Sequence, residues 1–202
     1  MKIDVVKKTI ETYEQMADLY NSLYPYVNKE NIDFFIDKIN GDKILDIGCG
    51  SGRDAEYFVS KGLDVTGIDL SNRFIEISQA KVPKAKFIKM DMRNINFPVN
   101  SFDGIWSMGS ILHIPKLEVK DTIIKFREVL KTNGIIYISV KLGEGEKFVK
   151  RDRYKGLEKF FAFYTESEMS DLLENCGFEI IKLSLYKVPK QATWIDVFAI
   201  KK

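Results

Sequence analysis

The stretch "KILDIGCGSGRDAEYF", Lys43–Phe58, decides how the rest of the chain is read. Lys43 to Ile47 is a short apolar run closed by turn residues, which predicts a buried strand. Glycines follow at 48, 50 and 52, and the residues after them predict a helix over about 53–61 that Gly62 closes. A strand, a glycine turn and a helix start together bring free backbone N–H groups up to a ligand. The nicotinamide fingerprint is G-x-G-x-x-G. Here the spacing is G-x-G-x-G, and Arg53 stands where the third glycine of that fingerprint would be. Asp46 precedes the turn, where it repels a pyrophosphate and attracts an ammonium or sulfonium.

Working outward, the chain alternates strand and helix signals. Residues 4–27 read as helix, with aromatics at Tyr13, Tyr20, Tyr24 and Tyr26, and "NIDFFIDKI" as a second helix that Gly41 ends. "LDVTGID", "KFIKMD", "FDGIWSM" and "IIYISV" read as further strands. Between them lie "SNRFIEISQAK", with Ser71 as N-cap and Pro83 as breaker, and "LEVKDTIIKFREVLK", with Ile123, Phe126 and Leu130 on one face. "TESEMSDLLENCG" carries a capping box at Thr165 and Glu168. The last runs, "FEIIKLSLYKV" and "TWIDVFAI", have no helix between them and are expected to pair antiparallel. Five strands alternating with helices predict an α/β fold, a mostly parallel sheet with helices on both faces. The closing hairpin distinguishes it from a standard dinucleotide-binding sheet.

The chain has 202 residues, 45% hydrophobic and 30% charged, which predicts one domain over 1–202 with a real core. Its formal net charge of +2 supplies no bulk field toward nucleic acid or anionic lipid. The N-terminus is charged throughout, unlike a signal peptide, and no apolar run approaches the roughly 20 residues that span a bilayer. Cys49 and Cys176 are far apart in unlike contexts, so a disulfide is not expected and a cytoplasmic setting is. His113 is the single histidine, and no metal site is expected.

The positive ligand expected at the glycine turn fits S-adenosylmethionine, which carries an ammonium and a sulfonium and no phosphate. Asp69, at the end of the second strand, is placed to accept from two ribose hydroxyls. Asp91, at the end of the third, is placed to accept from the adenine amino group, with Met92 flanking the ring. Taken in order, "LDIGCGSG", "GIDLS", "MDM" and "FDGIWSMGSILHI" resemble the successive motifs of class I S-adenosylmethionine-dependent methyltransferases. "REVLKTNGIIYISV" is similar to the helix–strand unit that often follows. The resemblance is strong over about 40–141 and implies a Rossmann-like seven-stranded sheet with an antiparallel C-terminal hairpin. It further implies that Asp46, Gly48, Cys49, Gly50 and Ser51 line the methionine end. Asp69 and Leu70 would hold the ribose, Asp91 and Met92 the adenine, and Ser107, after the fourth strand, would lie near the methyl group. Arg53 resembles the arginine of a subset of small free-standing members; it would brace the turn or pair with a carboxylate, or it is simply a helix-start arginine.

Methyl transfer needs an aligned acceptor and excluded water, and a base only if the acceptor keeps its proton. His113 follows the fourth strand and is either that base or a histidine packed before Pro115. Tyr13, Ala17 and Tyr20 share a helical spacing; residues 1–40 are either a lid over the cofactor or an amphipathic helix packed on the sheet. The segment 141–164 has no clear period and mixes basic with aromatic residues. It is expected to be the acceptor-site insertion, with Arg153, Tyr154, Phe163 and Tyr164 as substrate contacts, or else a solvated loop. The expected activity is methylation of a small-molecule acceptor by in-line displacement, by a monomer or homodimer. A tRNA or protein acceptor is the alternative, since basic residues among aromatics also suit single-stranded nucleic acid. A non-catalytic cofactor-binding partner subunit is a further one.

Overall fold

The structure is a computed structural model that describes residues 4–24, 26–150, 152–154, 156–188 and 192–202, without the side chains of Asn21 and Arg153. Its strands are β1 (Lys43–Ile47), β2 (Asp64–Asp69), β3 (Lys86–Lys89), β4 (Phe102–Met108), β5 (Leu130–Lys141), β6 (Glu146–Lys150), β7 (Glu158–Ala162), β8 (Phe178–Val188) and β9 (Ala192–Lys201). Its helices are α1 (Val5–Leu23), α2 (Lys29–Lys38), α3 (Arg53–Ser60), α4 (Asn72–Lys81), α5 (Lys116–Val129) and α6 (Glu166–Asn175).

Seven strands form one sheet in the order β3-β2-β1-β4-β5-β9-β8. The first five run parallel, and β9 inserts antiparallel between β5 and β8. The order reverses between β1 and β4, which places the switch point, and hence the ligand crevice, at the carboxyl end of β1. β4 sits in the middle and is buried from Phe102 to Ser107, as a central parallel strand covered on both faces must be.

Alternation along β4 sends Ile105 to one face and Trp106 to the other. On the first face Ile105 joins Ile123 and Phe126 of α5 and Met169 and Leu173 of α6. On the second face Trp106 stacks on Tyr137 at a centroid distance of 3.8 Å and meets Phe35 of α2 and Phe58 of α3 edge-on. Its indole N–H donates to Asp54 at 3.0 Å, so the one polar atom of this large side chain is satisfied inside the core.

Two local expectations are corrected. Gly41 does not end α2, which stops at Lys38 with Ile39 as C-cap. Gly41 instead makes room for Asp103: an added Cβ would lie 2.3 Å from the Asp103 carboxyl carbon. That carboxylate accepts from Lys43 N at 3.0 Å and from Lys131 Nζ at 2.7 Å, latching the start of β1 beside β4 and β5. The segment 141–164 is not irregular either. β6 and β7 form an antiparallel ribbon with Phe148 opposite Phe160. Its period-two pattern is obscured in sequence because Lys159 turns inward together with the aromatics.

Phe58 is fully buried between Phe35 and Trp106. Phe58→Ala is expected to cost about 3–5 kcal/mol of stability. Urea unfolding checks this: the midpoint drops while the slope stays near its wild-type value.

Candidate active site

The glycine turn is built by hydrogen bonds to the end of β2. Gly48 N and Cys49 N both donate to Ile68 O, at 2.8 and 3.0 Å, and Gly50 N donates to Asp69 Oδ2 at 3.1 Å. Asp69 Oδ1 accepts from Ser71 N at 2.8 Å. Gly48 and Gly50 hold φ of 70° and 53°, a region glycine enters without cost. A Cβ on Gly48 would also lie 2.5 Å from Ser110 Cβ, whereas one on Gly50 would project into nearly open space, with Tyr20 its nearest neighbour at 3.9 Å. That open space is the crevice.

The crevice encloses about 680 Å³ of non-atom space, part of it open solvent. Gly48, Gly50, Asp69, Leu70, Asp91 and Met92 all line it, as do Tyr13 and Tyr20 from α1. Met108, the last residue of β4, and Gly109 and Ser110 just after it close its far side. Among the described lining residues there are two carboxylates and no lysine or arginine. Desolvation raises Asp69 to about 6 against the lowering pull of its backbone N–H donors. Asp91 is also partly desolvated, but the Arg93 guanidinium and N–H hold it below its ordinary value.

Other expected site residues lie behind this surface. Asp46 is buried beneath the loop, and its Oδ2 has no hydrogen-bond partner among the described residues. Burial and the neighbouring Asp54 push its carboxyl well above the usual range. Cys49 packs in the core with Phe87, and Ser51 is buried under the turn. Arg53 does not face the crevice. It forks onto Asp54 at 2.7 and 2.9 Å and lies 3.2 Å from Met108 Sδ. Ser107 is a correction: it lies within β4 rather than after it, is fully buried, and its hydroxyl meets Ser110 Oγ at 2.6 Å. Strand alternation turns Ser107 inward, so Met108, Gly109 and Ser110 reach the crevice in its place.

A second chamber adjoins the first, and Tyr13, Tyr20, Met108, Gly109 and His113 line both. It holds about 630 Å³ of empty space, part of it open to solvent. Its remaining wall includes Arg53, Lys141, Tyr154, Lys159, Phe161 and Trp194. Tyr154 lines this chamber, with its hydroxyl 2.9 Å from that of Tyr24. Arg153 falls outside the described side chains. Phe163 and Tyr164 are corrections, since neither lines the chamber. Phe163 packs beside Gly143, and Tyr164 is buried in the core under Lys116. Alternation along β7 points Lys159 and Phe161 at the chamber, and the strand ends at Ala162, before the next two aromatics.

Sequence reading missed Lys141, Lys159 and Trp194. The two-residue spacing of Lys159 and Phe161 was a usable signal. Lys141 at the end of β5 and Trp194 on β9 meet only because β9 inserts beside β5.

His113 sits on the short turn Ile111–His113, between the two cavities. Its Nδ1 lies 2.7 Å from Phe160 O and its Nε2 2.8 Å from the Tyr13 hydroxyl. A carbonyl only accepts, so Nδ1 carries the proton and the tyrosine donates to Nε2; the tautomer is assigned from these partners. Burial first, then Lys159 and Lys141, push the imidazole well below its ordinary value, so it is neutral at pH 7. Burial likewise raises Tyr13 well above 10.

A family model described as "Methyltransferase domain" matches residues 44–134. A ubiquinone biosynthesis O-methyltransferase of Chromobacterium violaceum is 27% identical over 177 residues, 78% of this chain and 74% of the relative. A sterol 24-C-methyltransferase of Pneumocystis carinii is 36% identical over 104 residues, 47% of this chain and 26% of the relative. Among solved structures, a Burkholderia thailandensis 1,6-didemethyltoxoflavin-N1-methyltransferase with 1,6-didemethyltoxoflavin and S-adenosylhomocysteine superposes at a TM-score of 0.75 and 18% identity, covering 100% of this chain and 92% of that one. The chain spans about half the length, or less, of several curated relatives it matches. Sheet order, glycine turn and these matches agree: residues 44–134 carry a methyltransferase domain, in a chain whose fold is that of the class I S-adenosylmethionine-dependent methyltransferases.

The residues present fit that cofactor. The crevice has acceptors for hydroxyls and an amine, Asp46 offers an unpartnered buried acceptor, and no cation among the described lining residues awaits a phosphate. Asp69→Asn is expected to weaken S-adenosylhomocysteine binding about tenfold or more, since hydrogen bonds to a charged acceptor contribute about 1.5–3 kcal/mol. Titration calorimetry measures it, with the melting temperature as fold control. In wild type the same affinity should rise with pH as Asp69 ionises near 6 and level off above, because the ionised carboxylate is the better acceptor. A flat profile between pH 5 and 7.5 contradicts a role for Asp69 in holding the ligand.

Proposed function

We propose that this chain transfers a methyl group from S-adenosylmethionine to a small molecule held in the second chamber. The observation that carries this reading is the pairing of an acidic crevice with a basic, aromatic chamber, joined at Tyr13, Met108, Gly109 and His113. Asp69 and Leu70 hold the ribose, Asp91 and Met92 the adenine, and the turn at Gly48 and Gly50 admits the methionine portion over Asp46. Bound there, the cofactor would supply an electrophilic methyl group, carried on a sulfonium, to the lone pair of an acceptor.

The chain's own contribution is placement and dryness. Tyr13 and Tyr20 lie two helical turns apart on α1 and pack against Phe74, Tyr20 edge-on and Tyr13 tilted, walling the junction from water. Orienting two reactants in this way can supply roughly 7–11 kcal/mol of the barrier. α1 is tied down at its rim, where Asn72 N donates to Glu14 at 2.6 Å and Arg73 pairs with Asp18 at 2.7 Å. Those contacts are exposed and individually weak, which suits a lid that opens for cofactor exchange. An acceptor that arrives ionised needs no base. A protonated one hydrogen-bonds to the Tyr13 oxygen, which His113 Nε2 holds in place, and releases its proton to solvent as the methylated product leaves.

The alternative of an RNA acceptor draws less support. Lys141 and Lys159 turn into the chamber, where phosphates of a long polymer have no path along a surface. The relatives named for small acceptors point the same way.

Incubation with methyl-labelled S-adenosylmethionine and a cell extract tests the reading. Label is expected in the low-molecular-weight filtrate; label confined to RNA or protein sinks it, and so does no transfer at all. Tyr13→Phe removes the hydroxyl that His113 holds. It is expected to lower kcat about tenfold or more for a protonated acceptor, with S-adenosylhomocysteine affinity changed less than threefold.

A further inference from the structure

We propose that Arg93 sets the specificity of the crevice for adenine, by clamping Asp91 so that one acceptor position is left for the exocyclic amino group of the base. This rests on the methyltransferase reading and names a positioning residue for the same site, one that stands behind the crevice wall and not in it.

Asp91 caps the short turn Met92–Asn94, and both of its oxygens engage the residue two positions on. Oδ1 accepts from Arg93 N at 2.9 Å, Oδ2 accepts from Arg93 Nη2 at 2.7 Å, and Nε lies 3.1 and 3.0 Å from the two oxygens. A carboxylate has about four acceptor sites, and these N–H groups of a single residue take all but about one of them. A guanidinium met through its fork fixes the plane of the carboxylate as well as its charge, which a lysine ammonium does not. Arg93 is fixed in turn. Its Nη1 donates to Glu118 Oε2 of α5 at 2.9 Å, and Lys125 of the same helix donates to Asn94 Oδ1 at 3.1 Å. The turn that carries Asp91 and Met92 along the crevice is thereby anchored to α5, which packs on the sheet through Ile123 and Phe126.

The clamp also decides what the remaining site can accept. Asp91 is partly desolvated, yet the Arg93 fork and N–H hold it below its ordinary value, so it stays ionised where Asp69 titrates. An ionised carboxylate accepts and never donates. The amino group of adenine satisfies it. A carbonyl at the same position, as in the deaminated base hypoxanthine, sets oxygen against oxygen. Without Arg93 the carboxyl is free to turn and to take up a proton, and a protonated carboxyl donates to a carbonyl. The discrimination therefore belongs to the Arg93–Asp91 pair and not to Asp91 alone. A clamp that served only to hold the turn on α5 would be indifferent to the base.

The test compares S-adenosylhomocysteine with S-inosylhomocysteine, in which a carbonyl oxygen replaces the amino group, by titration calorimetry at pH 7.5. Wild type is expected to bind the adenine form about tenfold or more tighter, the worth of a hydrogen bond to a charged acceptor. Arg93→Met is expected to cut that ratio to about twofold, and Arg93→Lys, which keeps the charge without the fork, to leave it between the two. Glu118→Ala breaks the anchor on α5 and spares the fork, so its ratio is expected to stay within about twofold of wild type. The melting temperature reports that each variant folds. A folded Arg93→Met with the wild-type ratio overturns the proposal, because Arg93 then only holds the turn. Should that variant fail to fold, Arg93→Lys decides in its place, and an unaltered ratio there overturns the proposal equally. An equal collapse of the ratio in Glu118→Ala assigns the effect to the anchor and also overturns it. If S-adenosylhomocysteine fails to bind wild type, the methyltransferase reading falls first. If it binds and no preference for adenine is seen, this inference alone falls.

Discussion

Everything at the candidate active site depends on how the loop after β1 is tied to the end of β2. Ile68 O takes the N–H groups of Gly48 and Cys49, and the Asp69 carboxylate takes those of Gly50 and Ser71. One aspartate thus holds the glycine turn on one side and the start of α4 on the other. The same carboxylate lines the crevice. Its desolvation is costly, and the backbone donors offset part of that cost, so the group that shapes the loop is also the group poised to accept from a ligand.

The second constraint is the separation of charge between two adjoining cavities. The crevice presents carboxylates and the chamber presents ammonium groups, with only neutral groups at the junction: Tyr13, Tyr20, Met108, Gly109 and His113. His113 fits this division. Buried near two lysines, with both ring nitrogens engaged, it holds Tyr13 in place as a neutral group and does not stand free as a base.

Much of the crevice is legible in the order of residues alone. Strand–turn–helix periodicity locates the glycine turn, and carboxylates at strand ends in a parallel sheet converge on one edge whatever the details of packing. Asp69, Asp91 and Met92 lie on that edge. The errors arise where local pattern is silent about direction. Ser107 lies one residue before the crevice-facing stretch, and a single step along a strand reverses a side chain. Phe163 and Tyr164 fail for the same kind of reason, since the ribbon that orients the segment ends at Ala162.

The sequence by itself determined the class of fold, the position of the ligand-binding turn and the sign of charge at the crevice, because each follows from spacing over a few residues and from the fixed geometry of strands and turns. Only the tertiary structure decided what lines the second chamber. Lys141, Lys159 and Trp194 come from β5, β7 and β9, and His113 finds Tyr13 a hundred residues away in the chain. No local period records such meetings, which arise from the insertion of β9 beside β5, the folding back of the β6–β7 ribbon and the docking of α1 across the junction.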